Sequence, residues 1–169
     1  MRKTIAALVL LTVVGCGSGA KDADTDAESK PDKPANQTTV GKALTVTMES
    51  GAKAKVTILK VTTAKKGKGD LAEKPENGQF VVVDVQIEVT DKVFPVNPLY
   101  VQYQGADSKV FDSGDGNAAT AGFEPALDSG DVQKGQTTRG FVVFDTPAAK
   151  GKQIQVTDEL GSPVAYWTL

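Results

Sequence analysis

Five residues within one stretch, Asp112, Asp115, Phe123, Asp128 and Asp131, carry the side chains most able to recognise a ligand. Four carboxylates on one connection are the hard oxygen donors a calcium ion takes, and Phe123 is an apolar anchor among them. The run Asp112-Ser-Gly-Asp115-Gly-Asn117 lacks the spacing and terminal glutamate of a calcium hand, however, and has the composition of an ordinary turn. These residues are candidate ligand loops, and no metal is assigned to them. Catalysis finds less. The chain contains no histidine, which removes the commonest general base and the commonest transition-metal ligand together. No serine and lysine spacing stands out. Asp84 and Glu88 share a strand face but are four residues apart, at about 3.3 Å per residue, too far for direct contact. The residues specify a binding protein with no catalytic site and no cofactor; the alternative is an ion-binding or hydrolytic module using the acidic 112–131 loop.

Both long connections in the chain carry charge. Thr63 to Gly78 holds Lys65, Lys66, Lys68 and Lys74, which suit an anionic lipid or wall polymer, but Asp70, Glu73 and Glu76 nearly cancel them. Ser113 to Thr137, entered from Asp112, is the acidic one. Connections of this length in a compact domain tend to be functional or disordered. With Lys+Arg 19 against Asp+Glu 21, there is no basic excess, and nucleic acid is excluded as a partner.

The elements that hold these connections read as strands. Leu44, Val46 and Met48 alternate with polar residues, as do Ala54, Val56 and Ile58, after which the apolar phase switches to Leu59 and Val61 and predicts a bulge near Leu59. Gln79 to Thr90 is the clearest central strand: Val81, Val83, Val85, Ile87 and Val89 form one face, while Phe80 and Val82 precede polar Asp84, Gln86 and Glu88 on the other. Leu99 to Tyr103, Gly140 to Asp145, Ile154 with Val156, and Val164 to Thr168 follow. Seven or eight strands separated by turn signals, in a chain with 17 Gly and 8 Pro, predict an all-β domain. The expected form is a β-sandwich, with an eight-stranded barrel as the runner-up. Phe123, Pro125 and Leu127 are expected to pack on it.

The N-terminus addresses the chain. Arg2 and Lys3 precede an apolar run from Ile5 to Val14 that is too short to span a bilayer, and a polar stretch follows it. Val13-Val14-Gly15-Cys16 resembles the bacterial lipobox, in which a small residue precedes a cysteine that is lipidated and becomes the new N-terminus. That resemblance implies a signal peptide over residues 1–15 and lipid attachment at Cys16, with more than one acyl chain anchoring the protein stably in the membrane. Residues 16–39 form the lipidated cysteine and a disordered linker without large apolar residues, in which Asp22 to Glu28 is a solvated acidic run. The domain, residues 40–169, contains no cysteine and folds without a disulfide.

The succession VGKALTVT, GQFVVVDVQIEVTD and VQKGQTTRGFVVFDTP resembles the Ig-like, telokin-like domain of exported Gram-positive lipoproteins, a family of unknown function related to a secreted immunogenic mycobacterial protein. Gly78 with Phe80 to Val89, and Gly135 with Phe141 to Pro147, carry the resemblance, which covers residues 40–169. Thr90-Asp91 stands where the family commonly has Asn. The resemblance implies an immunoglobulin-like sandwich, an extracytoplasmic location and no catalytic activity. The expected protein is thus a lipid-anchored module on the outer face of the cell membrane, part of the bacterial cell envelope. Its loops would meet an envelope protein, a cell-wall polymer or a small ligand.

Overall fold

Alternation along one strand organises the molecule. In the computed structural model, which describes residues 36–147 and 150–169, Val81, Val83, Val85, Ile87 and Val89 are all buried on the inward face of a strand running Gln79–Asp91. The signal, Cys16 and the linker up to residue 35 lie outside the described residues. Eleven strands are described: β1 (Gln37–Thr39), β2 (Ala43–Thr47), β3 (Lys53–Ala64), β4 (Gln79–Asp91), β5 (Phe94–Val96), β6 (Val101–Gly105), β7 (Val110–Phe111), β8 (Gly130–Val132), β9 (Thr137–Thr146), β10 (Gly151–Thr157) and β11 (Pro163–Thr168). Short 3-10 turns occur at Pro98–Tyr100 and Ala118–Thr120.

The strands form a five-stranded sheet, β1-β11-β10-β6-β7, a four-stranded sheet, β2-β3-β4-β9, and a two-stranded ribbon, β5-β8. The two large sheets share one core. Val46, Val56, Ile58 and Val85 from the four-stranded sheet pack in the same cluster as Tyr103, Ile154, Val156 and Trp167 from the other. Trp167 is wholly buried, and its indole N–H donates to the Lys42 carbonyl at 2.8 Å, so the largest side chain of the core leaves no polar group unsatisfied.

Three expectations need correction. The strand count of seven or eight becomes eleven in three sheets, and the eight-stranded barrel is replaced by two separate large sheets. β1, β5, β7 and β8 have two or three residues each, too few to show a period of two. The fold also begins before Val40: Gln37–Thr39 pairs in parallel with β11 from Tyr166 to Thr168, so the linker stops short of these residues. Polar residues can do this because the pairing is made by backbone groups, and the Asn36 side-chain amide adds donors to the Thr45 and Val164 carbonyls at 3.0 Å each. Finally, β4 is not one-sided throughout. Phe80, Val82 and Asp84 are buried on its outer face, and only from Gln86 onward does that face open to solvent.

The bulge is present. The register of β3 against β4 slips between Ile58 and Lys60, which returns Val61 to the core side and turns Lys60 and Thr62 outward.

Candidate functional site

The outer face of β4 and β9 has to be covered, because it presents Phe80, Val82, Phe141 and Val143 side by side. These residues form a second hydrophobic cluster with Ala64, Ala121 and Phe123. The cover comes from both long connections. The Lys68 amide donates to the Ala121 carbonyl at 2.8 Å, the Asn117 side-chain amide donates to the Lys74 carbonyl at 3.0 Å, and the Thr120 hydroxyl donates to a Glu73 carboxylate oxygen at 3.4 Å. Gly122 has φ of +69°, and a Cβ there would collide with the Lys68 carbonyl, so glycine permits this close crossing.

Asp145 is the brace. It lies near the end of β9, fully buried, and its carboxylate accepts three backbone amides: Glu76 at 2.7 Å and Asn117 at 3.0 Å on Oδ2, and Asn77 at 2.9 Å on Oδ1. Two donors come from the first connection and one from the second. One charged side chain therefore ties both loops to the sheet through charge-assisted hydrogen bonds. The free edge of β9 is also closed: the Phe141 amide donates to the Pro125 carbonyl at 2.8 Å and the Leu127 amide to the Phe141 carbonyl at 3.0 Å. A Cβ at Gly140 would meet the backbone of Ala126 and Leu127, so this approach also requires glycine.

The cover is incomplete. Phe123 packs edge-on against Phe80, with ring centroids 6.4 Å apart, and the Lys68 ammonium sits 5.2 Å above the Phe123 ring. Between this corner and β3 runs a cleft of about 490 Å³, whose floor is Val82, Asp84 and Phe141 and whose far wall is Lys60, Thr62 and Ala64. On the other side of Phe123, a smaller hollow of about 250 Å³ reaches Ala118, Leu127 and Val142. From β9, Arg139 clamps Asp84 with two bonds, Nε to Oδ1 at 2.9 Å and Nη2 to Oδ2 at 2.7 Å. Hydrogen bonding to Asp84, and then its charge, raise the Arg139 guanidinium further above its ordinary value against partial desolvation. Both oxygens of Asp84, the acid on the cleft floor, thus accept from Arg139.

Of the five residues singled out by sequence, Phe123 alone lines this cleft. Asp112 and Asp115 come together, but in a turn: Asp115 accepts the Asp112 amide at 3.0 Å, and Asp112 accepts the Gln102 side-chain amide at 2.8 Å. Asp128 is exposed between the β9 edge and β8, and Asp131 stands on β8 opposite Pro95. Among the described residues, no three acidic or cysteine side chains gather as a metal site would require. The lysine-rich connection contributes Lys68. Sequence reading assigns no role to Asp145 or Arg139, and Asp84 figures in it only as half of an acid pair with Glu88 that is too far apart for direct contact. Asp145 had one available signal, a carboxylate closing the apolar run GFVVFD, since a charge at the end of a buried strand must find donors.

Taken together, the geometry defines an all-β domain of two large sheets on one core, with a loop-built cleft on its outer face. The chain belongs to the family described as a domain of unknown function, DUF4352, whose model matches residues 47–164. Among solved structures, its fold is similar to the 1.5 Å crystal structure of MPT63, a secreted protein from Mycobacterium tuberculosis. The TM-score is 0.62 and the identity 14%, over 82% of this chain and 100% of that one. No curated protein sequence matches the chain significantly.

Proposed function

We propose that the chain is a non-catalytic binding domain of the bacterial cell envelope, held by lipid at Cys16 on the outer face of the membrane, whose ligand enters the cleft between Lys60 and Phe123. The observation that carries the reading is the Asp145 brace. It ties to the sheet the two loops that carry Lys68 and Phe123 while leaving the cleft open, and such preorganisation lowers the entropy lost on binding. A cleft of this size with a few polar groups over an apolar floor is the usual form of a small-ligand site. The lipobox-like sequence before Cys16 supports the anchor. The location is supported by the family resemblance, and likeness in fold to a secreted protein agrees with it. The immunoglobulin-like description fits two large sheets sharing a core and belongs to the same proposal.

Two measurements test it. Cys16→Ser should move the folded protein from the membrane to the soluble fraction; retention in the membrane would refute the anchor. Titrating the full chain with cell-wall fragments and small ligands, followed by nuclear magnetic resonance, should shift Thr62, Val82, Phe123 and Phe141 together. Shifts gathered instead on Asp112, Asp115 and Asp131 would replace the cleft with the acidic loop.

A further inference from the structure

The charge of the cleft is not balanced, and the imbalance has a structural origin. The β3 bulge turns Lys60 and Thr62 to the outer face; without the extra residue, even-numbered positions would continue inward as Ala54, Val56 and Ile58 do. Lys60 then lies opposite Asp84 in the register. Arg139 already holds both Asp84 oxygens, and neither Lys60 nor Lys68 makes an ion pair among the described residues. Among the described residues neither Glu73 nor Glu124 on the nearby loops forms an ion pair with either lysine, and Glu124 accepts the Ala126 amide instead. Two ammonium groups, one from the sheet and one seated over an aromatic ring, therefore face a cleft whose floor is apolar apart from Asp84, which Arg139 holds.

We infer that the cleft binds an anionic group joined to an apolar body, with the anion between Lys60 and Lys68 and the body on Phe123, Phe141 and Val82. Phosphate suits the site better than carboxylate: the planar fork that would grip a carboxylate belongs to Arg139 and is occupied, whereas lysines act as point charges suited to phosphate oxygens. This inference rests on the proposed cleft and adds the chemical class of its ligand.

The test is a resonance titration of the full chain with 1-naphthyl phosphate, 1-naphthol and inorganic phosphate. Naphthyl phosphate should shift Lys60, Thr62, Lys68 and Phe123 saturably and more tightly than either part alone. Lys60→Glu with Lys68→Glu should weaken it by about tenfold or more, and high salt should weaken it too. Both lysines are exposed, so the variant retains its fold, checked by unchanged core resonances of Val85 and Trp167. Naphthol binding in the cleft as tightly as its phosphate would overturn the anion inference and leave the cleft standing. No probe shifting the cleft would overturn both. An unaltered affinity in the double variant would remove the lysines from the site. Competition by phosphatidylglycerol vesicles would assign the phosphate to a lipid headgroup, and its absence to a soluble ester, each consistent with the inference.

Discussion

Replacing Asp145 with alanine leaves the amides of Glu76, Asn77 and Asn117 without their acceptor. A buried donor left unpaired costs about 1–3 kcal/mol, and hydrogen bonds to a charged group are the stronger kind. Two offsets apply. Glu76 and Asn77 lie on exposed chain, so water can reach their amides once the loops loosen. The alanine variant also no longer buries a carboxylate. Taking the low end for each donor gives a net loss of about 2–4 kcal/mol, a large share of the roughly 5–15 kcal/mol available to a domain. Asp145→Asn should fall between, at about 1–2 kcal/mol, since its amide keeps one acceptor and turns a donor toward another donor. Urea denaturation measures the total, and hydrogen exchange locates it: the amides of Asn77 and Asn117 should lose protection while those of Val83 and Val85 keep theirs. A loss below about 1 kcal/mol with Asn77 and Asn117 still protected would refute the brace.

Two further outcomes follow from the same geometry. Val85→Asp and Phe80→Asp both place an unpaired carboxylate in a buried position, one on each face of β4, and both should prevent folding, whereas Gln86→Lys should stay within about 0.5 kcal/mol. Melting curves that show Phe80→Asp to be as mild as Gln86→Lys would mean that the loops do not cover this face. The second concerns acid. Burial alone would raise the Glu159 carboxyl, but hydrogen bonds from its own backbone, the Ser50 side chain and the Glu49 and Ser50 backbone outweigh it and hold the group below its ordinary value. The stabilisation is therefore complete above the unfolded value of about 4.3 and is lost as pH falls through the folded value. Glu159→Gln should lower the melting temperature at pH 7 by the equivalent of about 1 kcal/mol or less, and the gap should close in acid; a gap that widened in acid would reverse the sign of the argument.

Much of the fold was legible because burial on one face leaves a period of two. β2, β6 and β10 show it, β9 was legible instead as the apolar run GFVVFD, and the phase switch at Leu59 announced the bulge that the register of β3 and β4 contains. β1 was invisible for the opposite reason: Gln37, Thr38 and Thr39 are held by backbone pairing at a sheet edge, which leaves no apolar signature. The outer burial of β4 was half legible. Phe80 and Val82 were visible as apolar residues on a face otherwise read as polar, and Phe123 as an aromatic needing cover, but nothing in the sequence joins residues some forty positions apart. In the acidic loop, density in sequence is not convergence in space: Asp112 and Asp115 shape a turn, as the composition of DSGDGN implied, while the carboxylate that ties the two loops to the sheet, Asp145, stands alone in an apolar run.

The cleft exists where it does because β4 changes character halfway along. Toward its C-terminal end the outer face is ordinary solvent-facing sheet, with Glu88 paired to Lys55 across the ladder at 3.6 Å and both side chains about half exposed. Toward its N-terminal end Phe80 and Val82, with Phe141 and Val143 beside them, make an apolar surface that a monomer cannot leave bare. Two loops cover it, but with small residues and one ring: Ala121 and Phe123. So slight a cover closes the surface under Phe123 and stops short of β3, and the bulge places Lys60 and Thr62 along that uncovered margin. The apolar floor, the charged rim and the braced loops are thus consequences of one requirement, that the outward half of β4 be buried by a lid too small to bury all of it.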